Sequence, residues 1–159
     1  MVATFSACSK DDTPELPKQV ASTAIKTQEM DAIKGSSSSS DIVFTRDDFN
    51  ELNDFKKYVK SGKIQTTSII DVSKIKDGAK FSNVKLTIKG SNPVQVLNLG
   101  EIDENTSYKG IDELNFLQKV IDEVAGKNSK STLELSYKVE ERGTAPSEMK
   151  IKLDAIFKF

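Results

Sequence analysis

The second half of the chain carries the most regular spacing of hydrophobic and polar positions. Between residues 111 and 125, apolar side chains recur at three- and four-residue steps, which is the period of a helix with one buried face. Apolar and polar positions alternate over residues 133–139 and again over residues 149–159, which is the period of a strand. Gly143 and Pro146 lie between these segments, so the pattern predicts a hairpin.

The preceding part of the chain shows the same two periods. Thr45 and Asp48 have the spacing of a capping box, and the apolar stripe after them predicts a helix over residues 46–61. From Lys63 the period changes to two, which predicts strands. These cover residues 64–72, 82–88 and 94–99. A shift of phase in the third strand indicates a bulge or burial on both faces.

This order of elements predicts a single globular domain over residues 41–159. A helix, three strands, a second helix and two strands do not alternate strictly, which favours an α+β fold. We expect a mainly antiparallel β-sheet or small sandwich of about five strands covered by two helices. Residues 8–40 contain Gly35 followed by five serines, a composition typical of a disordered, Ser-rich tether.

Composition removes several classes of chemistry. The chain has no His, no Trp and one Cys, which excludes Ser/His/Asp, Cys/His and His-rich zinc sites. We therefore predict no catalytic residues, no metal and no cofactor, and expect a protein that is not an enzyme. Charged residues make up 30% of the chain and sum to a net charge of -1, with acids mixed among the lysines. That balance argues against a nucleic-acid partner.

The sharpest motif lies at the N-terminus. Phe5, Ser6 and Ala7 come directly before Cys8, and this stretch resembles a bacterial lipobox. The resemblance implies cleavage just before Cys8 and acylation of that residue, which would anchor the protein to a membrane. Residues 1–7 are then the remnant of a signal peptide, since they are too few for a charged region followed by an apolar region.

The residues after the cysteine add a second resemblance. Ser9, Lys10, Asp11 and Asp12 resemble the export signal of Bacteroidetes lipoproteins, in which a Lys or Gln precedes paired acids. The resemblance implies an outer-membrane location on the cell surface. The periplasmic face of the membrane is the alternative.

Lysines on the predicted middle strands are candidates for ligand binding. They are Lys74, Lys76, Lys80, Lys85 and Lys89. Lys85 and Lys89 share a predicted strand face and suit an anionic glycan or lipid headgroup, although an ordinary solvated face has the same pattern. Tyr108 lies in a polar loop and is a candidate for stacking on a sugar ring.

Three hypotheses of function follow. The first is a surface-tethered lipoprotein with a non-catalytic domain that binds an envelope protein or an extracellular glycan. The second is a carrier or enzyme with an apolar pocket between the second helix and the sheet. The third is a subunit of a surface fibre, assembled through an exposed sheet edge.

Overall fold

The computed structural model describes residues 15–107 and 110–159. Eight strands and one α-helix form its regular elements. The strands are β1 (Gln19–Met30), β2 (Ser37–Thr45), β3 (Ser61–Ile64), β4 (Ile69–Asp71), β5 (Lys80–Ile88), β6 (Gln95–Ile102), β7 (Lys130–Glu141) and β8 (Ser147–Lys158). The helix α1 covers Ile111–Ala125, and two 3₁₀ helices cover Arg46–Asp48 and Asn50–Tyr58.

The strands form two antiparallel four-stranded sheets. In the first sheet, β8 is central and pairs with β1 on one side and with β3 and β4 on the other. The second sheet has the order β2-β7-β5-β6. Buried positions alternate with more exposed ones along β7 and β8, so each sheet turns one face to a shared core. The predicted α+β, sandwich-like class is confirmed, with eight strands rather than about five.

The expected hairpin between the last two strands is wrong. β7 lies between β2 and β5 in the second sheet, whereas β8 lies in the first sheet. Residues 142–146 therefore connect one sheet to the other. Alternation tells which face of a strand is buried but not which strand it pairs with, so the sequence pattern could not separate a hairpin from a crossover.

Residues 19–40 are folded, contrary to the expected disorder. β1 pairs with β8 along all twelve of its residues and buries Ala24 and Met30. In β2 the run Ser37–Ser40 pairs with β7, and the same strand continues into buried Ile42 and Phe44. Neither segment has a strong local signal, so hydrogen bonds to a central strand of each sheet provide the order that composition did not predict.

The helix expected over residues 46–61 is confirmed only in part. Its sequence forms two 3₁₀ helices, and the second is kinked at Asn53, which has a φ of 47° and a ψ of −129°. The predicted capping box is present, because the Thr45 N–H donates to the Asp48 carboxylate at 2.7 Å. Phe49 packs edge-on against Phe157, with ring centroids 4.9 Å apart. This packing places the apolar stripe in the core without a continuous helix.

The strand predicted over residues 64–72 is divided into β3 and β4. Between them, the Ser68 hydroxyl donates to the Asp154 carbonyl at 3.0 Å and accepts the Asp154 N–H at 2.9 Å. These bonds replace ladder contacts where the chain leaves the sheet. The next two predicted strands and the second helix are confirmed as β5, β6 and α1. Register shifts lie between β5 and its neighbours, where Asn83 has a φ of 52°.

The helix α1 closes the core where it contacts strands of both sheets, including β3, β6 and β7. Its apolar stripe is completely buried at Leu117, Val120, Ile121 and Val124. Gly62 on β3 permits this approach, because a Cβ there would lie 2.6 Å from the Ile121 side chain. The C-terminal end of α1 thus lies beside the 3₁₀ segment that leads into β3.

Candidate anion-binding groove

The structure covers only part of the predicted site. Cys8, Ser9, Lys10, Asp11 and Asp12 lie outside the described residues, and so does Tyr108. Their predicted roles in lipidation, export and ligand binding therefore remain predictions.

Lys85 and Lys89 lie exposed on the outer face of the second sheet, as expected. Lys89 pairs with Asp41, with 3.1 Å between Nζ and Oδ2. On the same strand Lys80 pairs with Glu101 at 3.0 Å, and the hydrogen bond to that carboxylate raises the pKa of Lys80 above its ordinary value. The predicted basic stripe is therefore interrupted by acids.

Lys85 occupies a separate concavity of about 440 Å³, beside Asn83, Asn98 and Gly100. Lys74 and Lys76 lie in the turns between β4 and β5. The structure thus distributes the five predicted lysines over different surfaces and does not bring them together around one ligand.

A larger concavity of about 840 Å³ lies at one end of the sandwich, and we call it the basic groove. Three chain segments line it: residues 45–47, residues 56–60 and residues 125–130. Its basic side chains are Arg46, Lys56, Lys57, Lys60, Lys127 and Lys130, and its acidic side chain is Asp47. The groove therefore has an excess of five positive charges in a chain whose net charge is -1.

Arg46 joins the three segments. Its guanidinium donates to the carbonyl oxygens of Val124, Ala125 and Gly126 and to that of Lys56, each at 2.9 Å. The last turn of α1 contains no basic residue of its own, so Arg46 supplies the positive charge and the donors that this end of a helix requires. Partial burial lowers the pKa of Arg46, but an arginine remains protonated in proteins. Arg46 thus has a structural role that fixes the shape of the groove.

The lysines of the groove are available to a ligand. Lys56 pairs with Asp47 at 2.5 Å. The other four lysines, at positions 57, 60, 127 and 130, are exposed and have no ion pair within residues 15–107 and 110–159. Lys57 lies over the ring of Tyr58, 5.2 Å from its centroid. Flexible ammonium groups around an open concavity suit a ligand that carries several negative charges.

A second concavity next to the same 3₁₀ segment has the opposite charge. Glu51 and Asp154 line it together with Ser22 and Thr23, in a space of about 340 Å³. The Glu51 carboxylate accepts hydrogen bonds from the Ser22 hydroxyl at 2.5 Å and the Thr23 N–H at 3.2 Å. The Ser22 bond is the main reason that the pKa of Glu51 lies below its ordinary value. Serine and threonine donors therefore satisfy this carboxylate without a lysine.

Basic side chains are the main charged groups of the groove. Its one carboxylate is engaged with Lys56, and the chain contains no histidine. In the part of the chain that the structure describes, no three His, Cys, Asp or Glu side chains are grouped to hold a metal ion. What the arrangement can do is bind anions through charge-assisted hydrogen bonds.

The sequence pattern did not predict this groove. No lysine of residues 56–60 or 127–130 is among the predicted ligand-binding residues. A usable signal was present, since both short segments are rich in lysine and free of acids. Their proximity, however, depends on the bonds from Arg46 to the end of α1, which join residues about 80 positions apart.

Comparison with models of known families, with curated proteins and with solved structures finds no match to this chain. Among the described residues, no helix is both long and apolar enough to cross a membrane.

Proposed function

We propose that this protein is a lipid-anchored, non-catalytic binding protein whose domain binds an anionic ligand in the basic groove. The observation that supports this most strongly is the excess of five positive charges around one open concavity. The lysines of the groove are exposed, so an incoming phosphate or sulfate group would meet them without rearrangement of the core.

The lipid anchor in this proposal rests on the sequence before and after Cys8. Phe5, Ser6 and Ala7 supply the lipobox-like site, and the acid-rich residues that follow resemble a surface-export signal. The cell surface of the outer membrane is therefore the proposed location, with the periplasmic face as the alternative. The first described strand begins at Gln19, so residues 9–18 lie between it and Cys8.

The anchor is tested with the protein expressed behind a complete signal peptide in a Bacteroidetes host. Mass spectrometry is expected to find a diacyl or triacyl group on Cys8, and protease added to intact cells is expected to remove the domain. If Cys8 is acylated but the domain resists the added protease, the protein lies on the periplasmic face of the membrane. An unmodified Cys8 would contradict the anchor itself.

Anion binding is tested by calorimetric titration of the full chain with sodium tripolyphosphate at low salt. We expect binding that weakens as salt is added, because the contacts are exposed charge pairs. The double substitution K60Q/K130Q is expected to weaken it about tenfold, from roughly 0.7 kcal/mol for each lysine. The control K74Q/K76Q changes the net charge equally on another surface and should leave the affinity unchanged. Equal loss in both variants would contradict a defined site.

The carrier alternative has less to support it. The apolar stripe of α1 is packed into the core, with Leu117 and Ile121 fully buried. The concavity of about 840 Å³ lies at the end of the helix, with lysines around it, and not between the helix and the sheet.

The fibre alternative has one specific observation in its favour. β6 is an edge strand of the second sheet. Val94, directly before this strand, is 64% exposed, and Val96, on the strand, is 43% exposed. Exposed apolar side chains on an open edge favour pairing with a strand of another copy. Light scattering over a range of concentrations tests this alternative. The average molecular mass in solution should rise with concentration for the unmodified chain and stay constant for V96K.

A further inference from the structure

We propose that the anionic ligand of the basic groove is the phosphate-bearing headgroup layer of the membrane that holds Cys8. This inference rests on the proposed function, because it assigns a ligand to the same groove and requires the same anchor. It adds an orientation: the groove faces the membrane, and the opposite end of the sandwich faces outward.

The start of β1 lies at the groove end of the first sheet. Gln19 pairs with Lys158 on one side of β8, and Ser61 pairs with the same residue on the other side. The N–H of Lys60, a groove residue, also donates to the Lys158 carbonyl at 2.8 Å. Gln19, the first residue of β1, therefore lies two strand spacings of about 4.8 Å from Ser61, which directly follows Lys60 of the groove.

In the second sheet, too, the groove lies at one end of the strands. Thr45 pairs with Lys130, and both residues line the groove. At the other end of the molecule, Met30 pairs with Ser147 in the first sheet, and Lys80 pairs with Glu141 in the second. The groove and the start of β1 thus share one end of the sandwich, and the connection between β7 and β8 lies at the other.

The length of chain before β1 limits how far this end can move from an anchored Cys8. Residues 9–18 separate the two, and ten residues reach at most about 35 Å when fully extended. The groove can therefore reach the bilayer surface, where an anionic surface potential decays over about 8–10 Å.

The form of the groove also suits headgroups. It is open, and the lysines that have no ion pair among the described residues come from two separate segments, residues 57–60 and 127–130. A layer of headgroups presents many phosphates that can move laterally to meet such distributed charges. Acyl chains and a basic surface together bind a protein stably to a membrane. Since the acyl chains would hold the protein there, the groove would mainly set which end of the domain faces the membrane.

The experiment uses the one cysteine of the chain. The full chain is coupled through Cys8 to a maleimide-bearing lipid in vesicles, and its lysines are acetylated briefly and read by mass spectrometry. In vesicles containing phosphatidylglycerol, lysines 57, 60, 127 and 130 should be acetylated several-fold more slowly than in phosphatidylcholine vesicles. Lys74 and Lys76 should be acetylated equally in both. Equal labelling of the groove lysines in the two membranes would overturn the inference.

A second measurement follows sedimentation of the uncoupled chain with the same vesicles. A lysine near an anionic surface contributes about 1 kcal/mol, or roughly fivefold in partitioning, so K60Q/K130Q should weaken binding about 30-fold. K74Q/K76Q should change it less than about twofold. Equal weakening in both variants would overturn the inference, because attraction would then follow net charge alone.

The two proposals fail in different ways. If tripolyphosphate binds the groove but phosphatidylglycerol neither retains the chain nor protects the groove lysines, the membrane inference is wrong and anion binding stands. If neither tripolyphosphate nor vesicles bind, both proposals are wrong. If both bind and K60Q/K130Q weakens both, both are supported.

Discussion

The basic groove and the outer face of the second sheet both carry several lysines, yet their electrostatics differ. On the sheet, Lys80 lies 3.0 Å from Glu101 and Lys89 lies 3.1 Å from Asp41. In the groove, one acid stands against six basic side chains. A count of lysines in a segment therefore does not identify an anion site. Whether a lysine is free to bind an anion depends on how many carboxylates the fold places near it.

The largest expected effect concerns the residue that assembles the groove. R46A removes the donor for three carbonyls at the end of α1 and one on the neighbouring segment, and charged hydrogen bonds of this kind contribute substantially. We expect the free energy of unfolding to fall by about 3 kcal/mol. Chemical denaturation measures it, together with loss of tripolyphosphate binding.

R142A is the matched control. Arg142 pairs with Asp31 at 3.1 Å, but its side chain is 60% exposed, so its loss should cost about 0.5 kcal/mol or less. If R46A were no more destabilising than R142A, the assembling role of Arg46 would be refuted.

A smaller effect tests the balance of charge directly. D47N releases Lys56 from its ion pair and should strengthen tripolyphosphate binding about threefold. D41N releases Lys89 in the same way on the sheet, away from the groove, and should leave the affinity for tripolyphosphate unchanged. Calorimetry of both variants checks this. Equal gains in the two would show that net charge, not local arrangement, controls affinity.

The smallest effect lies on the sheet. The Ser82 hydroxyl donates to the Glu140 carboxylate at 2.6 Å and, with help from Lys138, lowers the pKa of Glu140. The carboxylate therefore adds stability above its unfolded pKa, and this is lost as the pH falls through the lower folded pKa. A carbon-detected NMR titration should give a midpoint below the ordinary glutamate pKa, and this midpoint should rise in S82A. An unchanged midpoint would refute the Ser82 contribution.

Prediction from sequence succeeded where periodicity is local. The stripe of α1 and the alternations of β5, β7 and β8 each lie within a dozen or so residues, and the structure confirms all four elements. It was wrong where a distant partner decides. β1 and β2 depend on pairing with residues 85 to 139 positions away, and the hairpin prediction assumed pairing between neighbours that lie in different sheets.

The candidate site shows the same division. Lys85 lies exposed on β5, and Lys89 lies exposed directly after that strand, as the alternation of the strand predicts. Asp41, the acidic partner of Lys89, lies on β2 and could not be identified from the segment itself. The groove combines segments whose contact depends on a single guanidinium and four carbonyls, and no local pattern predicts such a meeting.

A ¹⁵N NMR titration of the full chain with tripolyphosphate at low salt locates the bound anion directly. We expect the amide shifts to change in residues 45–47, 56–60 and 125–130, which line the groove, and to stay unchanged on the outer face around Lys85. Shifts distributed over both surfaces, or confined to the sheet face, would contradict binding in the groove.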